Sequence, residues 1–131
     1  MTISVEIETL LHDWAQALNG GDVERLMELC TEDYTVIAAG APEFSGRDVM
    51  RKVFAHVLAD TKVSQTFVIR DVRVDGSLAV VATDESATLQ PRDGGSPKQL
   101  ELRQMSMLVR EADGWKFART LSNMLSPEET A

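Results

Sequence analysis

The chain changes period near its middle. Before residue 60 the apolar residues recur every three or four positions, and after it every two. Ile7, Leu10, Leu11, Trp14 and Leu18 share one helical face, which predicts a helix from about Ser4 to Leu18, ended by a left-handed Gly20 or Gly21. Asp22 stands where an N-cap belongs, ahead of a second helix whose buried stripe is Val23, Leu26, Met27 and Cys30. Cys30 is thereby assigned to packing, since a free cysteine behaves as a small buried hydrophobe. A strand follows at Tyr34–Ala39 and is broken by Gly40–Phe44. Ser45-Gly-Arg-Asp48 has the form of a capping box and opens a third helix, with Met50, Val53, Phe54, Val57 and Leu58 inward and His56 at the edge of the stripe.

From Lys62 onward β-branched residues alternate with polar ones over Val63–Val74 and Leu78–Leu89, with Asp75-Gly76 as a tight-hairpin signal between them. Pro91–Pro97 reads as a longer polar loop. Two further strands, about Gln99–Arg110 and Trp115–Met124, meet at Asp113-Gly114. The order is α-α-β-α-β-β-β-β, with the last four strands able to form a meander, so the expected class is α+β. Residues 1–125 are expected to form one domain and residues 126–131 a frayed tail.

Composition narrows the functional classes. The 131 residues suffice to bury one core without disulfides or metal. Thirteen basic and twenty-one acidic residues give a net charge of -8, which repels phosphate backbones and anionic lipids, so neither nucleic acid nor membrane is expected as a partner. The start of the chain has no signal-peptide pattern, and the single cysteine, Cys30, fits a reducing compartment; a cytoplasmic protein is expected. Two His and one Cys without zinc spacing, and Gly-Gly pairs without dinucleotide or phosphate-loop patterns, imply no metal and no cofactor. There is also no Gly-x-Ser-x-Gly nucleophile elbow.

Four segments carry a family resemblance: Trp14-Ala-x-Ala-Leu-x-x-Gly21-Asp22, Leu29-x-x-Glu32-Asp33, Phe44-x-Gly46-Arg47 and Asp113-Gly114-Trp115-Lys-Phe-Ala. In this order, over residues 4–124 and with the closing Ser122-Asn123, the chain resembles the SnoaL-like, ketosteroid-isomerase-like superfamily, also called nuclear-transport-factor-two-like. The resemblance implies a cone-shaped barrel: a curved, mostly antiparallel sheet wrapped around three N-terminal helices, often dimeric, with an apolar cavity for a small hydrophobic ligand. Members include isomerases, cyclases, dehydratases, epoxide hydrolases and non-catalytic binders, so fold alone does not assign an activity.

The family mechanisms each lose a part in this chain. The isomerase base position falls on about Ala38 and its tyrosine position on about Trp14; its second acid falls near Arg103–Met105, where none exists. The last strand holds no carboxylate for a cyclase-type base, and two acids flanking an arginine for water activation are missing.

Strand alternation supplies other candidates. Trp115, Phe117, Arg119, Leu121 and Asn123 form the more apolar face of the last strand and are taken as inward. Arg103 and Met105 are taken as inward on the strand before it, and either Asp84 or Glu85 must face in on the strand before that. The candidate catalytic set is Asp84 or Glu85 as base, with Arg103, Arg119 or Asn123 stabilising negative charge. The candidate ligand-binding walls are Trp14, Tyr34, Phe54, Arg103, Met105, Phe117 and Leu121. An Arg119 ion pair, a snorkelling Arg103 and a solvent-facing His12 are the structural alternatives. Two functional readings follow: a cofactor-independent cyclase, isomerase or dehydratase acting on a hydrophobic carbonyl-bearing or anionic metabolite, or a non-catalytic binding or dimerisation module. An outward sheet face of Leu78, Val80, Ala82, Ala118 and Thr120 is too apolar or small for a solvated surface and predicts a homodimer.

Overall fold

A computed structural model describes residues 4–38 and 40–125. The expected strand end at Ala39 and the expected tail at 126–131 lie outside the described residues. The helices are α1 (Val5–Gly20), α2 (Val23–Glu28) and α3 (Arg47–Asp60); the strands are β1 (Cys30–Ala38), β2 (Phe44–Ser45), β3 (Thr61–Asp75), β4 (Leu78–Pro91), β5 (Lys98–Glu111) and β6 (Gly114–Met124). Helix α1 ends as its glycine implies. Gly21 takes φ 69°, which lets the Asp22 N–H return to the Ala17 carbonyl at 2.8 Å. Asp22 then caps α2, its Oδ1 accepting from the Arg25 N–H at 3.1 Å.

The strands form one six-stranded sheet in the order β2-β1-β6-β5-β4-β3. The meander β3-β4-β5-β6 is antiparallel throughout, and β1 joins β6 in parallel. The two ends of the sheet, β2 and β3, do not pair, so the sheet is curved but unclosed and the expected barrel is an open one. The helices cover one face, where Ile7, Leu26, Cys30, Val81 and Leu108 are almost wholly buried. Trp14 is the hub of this core: its ring meets Phe117 at 4.8 Å, Phe54 at 5.8 Å and Tyr34 at 5.9 Å.

Three local expectations are corrected. Cys30 opens β1 rather than closing α2, because the Phe117 N–H donates to the Leu29 carbonyl at 2.9 Å and Cys30 pairs with Phe117, drawing the chain into the sheet. Ser45 does not cap α3: it lies in β2, which the sequence reading missed, with its hydroxyl 2.8 Å from the Thr35 hydroxyl. Gly46, at φ 101°, turns the chain instead and α3 starts without a side-chain cap. Val57 is 40% exposed, since α3 buries only the narrower stripe of Met50 and Leu58, flanked by Val53 and Phe54.

The larger correction concerns faces. On β6, Phe117 pairs with Leu108 while Arg119 pairs with Met107, so Ala118 is an extra residue opposite no partner. This bulge shifts the alternation by one. Trp115 and Phe117 point into the core as expected; beyond the bulge Ala118 and Thr120 are buried, whereas Arg119, Leu121 and Asn123 are exposed on the outer face. Arg103 and Met105 on β5 are also outward, because Ser106 and Leu108, of opposite phase, are the buried ones. The apolar-inward rule fails there because the inner face at this end carries hydroxyl groups that bond one another. On β4 the choice resolves clearly: Glu85 follows Val81 and Thr83 inward, and Asp84 points outward to Arg70.

These placements are separable by stability. Leu108→Ala, deleting a fully buried side chain, is expected to cost about 2–5 kcal/mol in urea unfolding, against less than about 1 kcal/mol for Val57→Ala. Equal losses would contradict the burial of the two positions.

Candidate functional site

The sheet's helix-covered face holds a cavity of about 140 Å³ between α1, α3 and strands β1, β3, β4, β5 and β6. Trp14, Phe54, Phe67 and Phe117 supply aromatic walls, with Leu11, Leu18, Val36 and Val81 completing the apolar part. The polar part is Glu85, Gln65, Thr83, Gln104, Ser106, Thr120, Ser122 and the Tyr34 hydroxyl. Its size is close to the ~150 Å³ void that takes up benzene. That volume is room for about one ring.

Among the described residues Glu85 is the one carboxyl group in the lining. Its Oε2 accepts from the Thr83 hydroxyl at 2.9 Å, and its Oε1 accepts a short hydrogen bond from Gln65 Nε2. Burial pushes the Glu85 carboxyl above its ordinary value, and the Thr83 and Gln65 donors pull part of that shift back. No Lys, Arg or His lines the cavity among the described residues, so no cation offsets the desolvation. A second polar cluster is a hydroxyl chain: Tyr34 Oη lies 2.9 Å from Thr120 Oγ1, which lies 3.1 Å from Ser106 Oγ. Burial holds the Tyr34 phenol well above its usual range, so it remains a proton donor or acceptor without charge.

The candidate residues fall into two groups on opposite faces of the sheet. Trp14, Tyr34, Phe54, Glu85 and Phe117 line the cavity. Asp84, Arg103, Met105, Leu121 and Asn123 instead surround a shallow recess on the outer face, with Arg70 beside them. Arg119 is outward too, and its Nη2 pairs with Asp33 Oδ2 at 3.1 Å, which holds the Asp33 carboxyl below its usual range. His12 is exposed and its ring lies 5.0 Å from that of Phe67. Gln65, Thr83, Gln104, Ser106, Thr120 and Ser122 were missed as site residues. The signal was present for Thr83, since it shares the phase of Glu85 along β4, but a search for charged groups passes over neutral amides and hydroxyls.

A larger crevice of about 930 Å³ lies among α1, α2 and the β5–β6 hairpin. Three ion pairs line it: Arg25 with Asp13 at 3.2 Å, Lys116 with Asp113 at 3.0 Å and Arg110 with Glu6 at 3.5 Å; Arg47 at its edge donates to the Cys30 carbonyl at 2.7 Å. It is an open groove rich in surface ion pairs, whereas the smaller cavity is the more enclosed and apolar of the two. No group of three or more His, Cys, Asp or Glu side chains is placed to hold a metal ion among the described residues. Nor is any described helix long and apolar enough to cross a membrane.

Comparison with known proteins accords with this geometry. The sequence profile of the SnoaL-like domain matches residues 7–126. No curated protein sequence matches significantly. Among solved structures, a conserved protein from Planctomyces limnophilus is 21% identical, with a TM-score of 0.87 over 92% of this chain and 94% of its own. A ketosteroid isomerase-like protein from Erwinia carotovora atroseptica is 22% identical, with a TM-score of 0.82 over 93% and 95%. A candidate scytalone dehydratase from Novosphingobium aromaticivorans is 21% identical, with a TM-score of 0.85 over 92% and 83%. At these identities the likeness extends to the α+β fold with its curved sheet.

Burial of Glu85 has a signed consequence. The folded protein holds the Glu85 proton more tightly than the unfolded chain, so deprotonation favours unfolding and stability is lost as pH rises from the ordinary glutamate value, about 4.3, through the higher folded value. Glu85→Gln keeps an acceptor for Gln65 and Thr83 but carries no charge. Its thermal midpoint relative to wild type is expected to rise across that window and then stay level; an advantage that grows toward acid pH would contradict the assignment.

Proposed function

The chain belongs to the SnoaL-like domain family, and from that premise we propose that it is a cofactor-independent enzyme acting on a small, neutral, roughly one-ring molecule in the cavity, with Glu85 moving a proton to or from the substrate. The observation that carries this reading is a single carboxyl group, raised in proton affinity by burial, facing a cavity that is otherwise uncharged among the described residues. A carboxyl displaced toward neutral pH serves as base in one step and as acid in the next. Dehydration, the reaction in the name of one structural neighbour, requires a proton to leave carbon as water departs from the next. The Tyr34–Thr120–Ser106 hydroxyl chain is the source of neutral donors toward a carbonyl or hydroxyl oxygen.

An anionic substrate, one of the two alternatives read from sequence, loses support. Arg103 and Arg119 face away from the cavity, and a second negative charge beside Glu85 is repelled. The other reading, a receptor without turnover, is favoured by one feature: among the described residues no second carboxyl group lines the cavity to partner Glu85. A test is deuterium uptake from D2O at the α-carbon of cyclohexanone, followed by NMR. Wild type is expected to accelerate exchange, Glu85→Gln to lower the rate about 10²–10⁴-fold, and Arg119→Met to leave it unchanged. Exchange retained in Glu85→Gln would overturn the role of Glu85, and binding without exchange would favour the receptor.

The proposal includes a homodimer formed through the outer sheet face. Met105 (53% exposed), Leu121 (56%), Leu78 (48%) and Val80 (40%) form an apolar surface there, with Ala82 among them. Ala118 and Thr120, expected on this face, are buried on the other side of the sheet. A cytoplasmic location also belongs to the proposal, supported by the acidic composition and by Cys30 as a buried free thiol. Sedimentation at micromolar concentration is expected to give a dimer that Leu121→Glu converts to monomer; a wild-type monomer would refute it.

A further inference from the structure

Glu85 is not held by its own strand alone. Gln65, which donates to Glu85 Oε1, is paired across the sheet with Ala87 rather than with Glu85, whose partner is Phe67. Its side chain therefore reaches Glu85 along the diagonal, over the small Ala87, and that reach depends on how the backbone of β3 is set at Gln65. β3 is an end strand of the sheet, and an end strand has one edge of unpaired N–H and C=O groups. At Gln65 one side chain from α1 occupies that edge. Asn19 Oδ1 accepts from the Gln65 N–H at 2.7 Å, and Asn19 Nδ2 donates to the Gln65 carbonyl at 3.0 Å.

These two bonds reproduce what a neighbouring strand would offer, and they fix both peptide planes flanking Gln65. They also fix the amide's orientation, since only Asn19 Oδ1 can accept and only Nδ2 can donate. Asn19 lies in the last turn of α1, and Leu18 before it lines the cavity. Its backbone carbonyl additionally accepts from Lys62 Nζ.

We propose that Asn19 is a positioning residue for Glu85: by clamping the backbone of Gln65 it aims the Gln65 amide at the Glu85 carboxyl and so sets how that carboxyl holds its proton. This rests on the reading of Glu85 as the proton-carrying group of the cavity. The lining makes the effect readable. Tyr34 on β1 is the other titratable group there, and α1, α3, β3, β5 and β6 contribute no charged side chain to it among the described residues. Asp84, next to Glu85 on β4, points to the outer face against Arg70, and His12 on α1 lies exposed by Phe67.

The test is the titration of the Glu85 carboxyl, followed by carbon-detected NMR in the full chain, which needs no substrate. Because the Gln65 donor favours the carboxylate, Gln65→Met is expected to raise the Glu85 midpoint. Asn19→Ala is expected to produce most of the same upward shift, and Asn19→Ala with Gln65→Met no more than Gln65→Met alone. Lys62→Met, which removes the contact to the Asn19 carbonyl and an exposed charge outside the cavity lining, is expected to leave the midpoint in place. A helix-to-strand staple with no bearing on the site would lower the melting temperature in Asn19→Ala without moving the midpoint, and that result overturns the proposal. So does an unmoved midpoint in Gln65→Met, or a double variant whose shift exceeds that of Gln65→Met. Should Asn19→Ala not fold, Asn19→Ser is read in the same way. Failure of the deuterium exchange assay would strike the catalytic reading while leaving these midpoints to decide the role of Asn19.

Discussion

One extra residue in β6 decides which chemistry the cavity receives. Strand β6 is interior to the sheet, held by β1 on one side and β5 on the other. The bulge at Ala118 inverts the faces of everything after it. Without it, Arg119, Leu121 and Asn123 would enter the cavity and Thr120 and Ser122 would face out. With it, the cavity receives two hydroxyls, and the outer face receives a cation, an amide and an exposed leucine. The Tyr34–Thr120–Ser106 chain exists only because the bulge turns Thr120 toward β5 and β1 on the inner side.

A second consequence is electrostatic. A cationic side chain inside the cavity would pair with Glu85 and hold its carboxyl in the charged form. With Arg119 outside and engaged by Asp33, Glu85 meets only neutral donors, and burial prevails. The charged form is thereby destabilised in the folded state. Such a group is a liability for stability, of the kind that a buried carboxyl at a ligand site carries. The aromatic hub around Trp14 supplies the opposite contribution, anchoring α1, α3, β1 and β6 around the same space.

The elements were legible because their signals are local. Trp14 and its helical neighbours, the Gly21 turn, the Asp22 cap and the Asp75-Gly76 hairpin act over a few residues, and each appears where the sequence places it. Side-chain facing was legible only where alternation ran unbroken to an unambiguous core residue. On β4, Val81 and Thr83 carry the phase directly to Glu85. On β6, the bulge depends on how two neighbouring strands pair, and Phe117-Ala118-Arg119 carries no glycine or proline to announce it. On β5, Arg103 and Met105 were assigned inward because the inner face was assumed to be the more apolar one, whereas Ser106 is buried by hydrogen bonding rather than by hydrophobicity. Short β2 was invisible, since two residues cannot show a period.

The proposed working surface is the cation-free inner cavity rather than the arginine-bearing outer face. The most direct measurement is the ¹H–¹⁵N spectrum of the two tryptophan indoles and the Glu85 carboxyl resonance during titration with phenol and, separately, with benzoate at neutral pH. Phenol is expected to shift the Trp14 indole and the Glu85 carboxyl and to leave Trp115, outside the cavity lining, in place, while benzoate moves neither cavity group. A Trp14 indole and a Glu85 carboxyl that phenol leaves in place, or that benzoate shifts as far as phenol does, would contradict this placement.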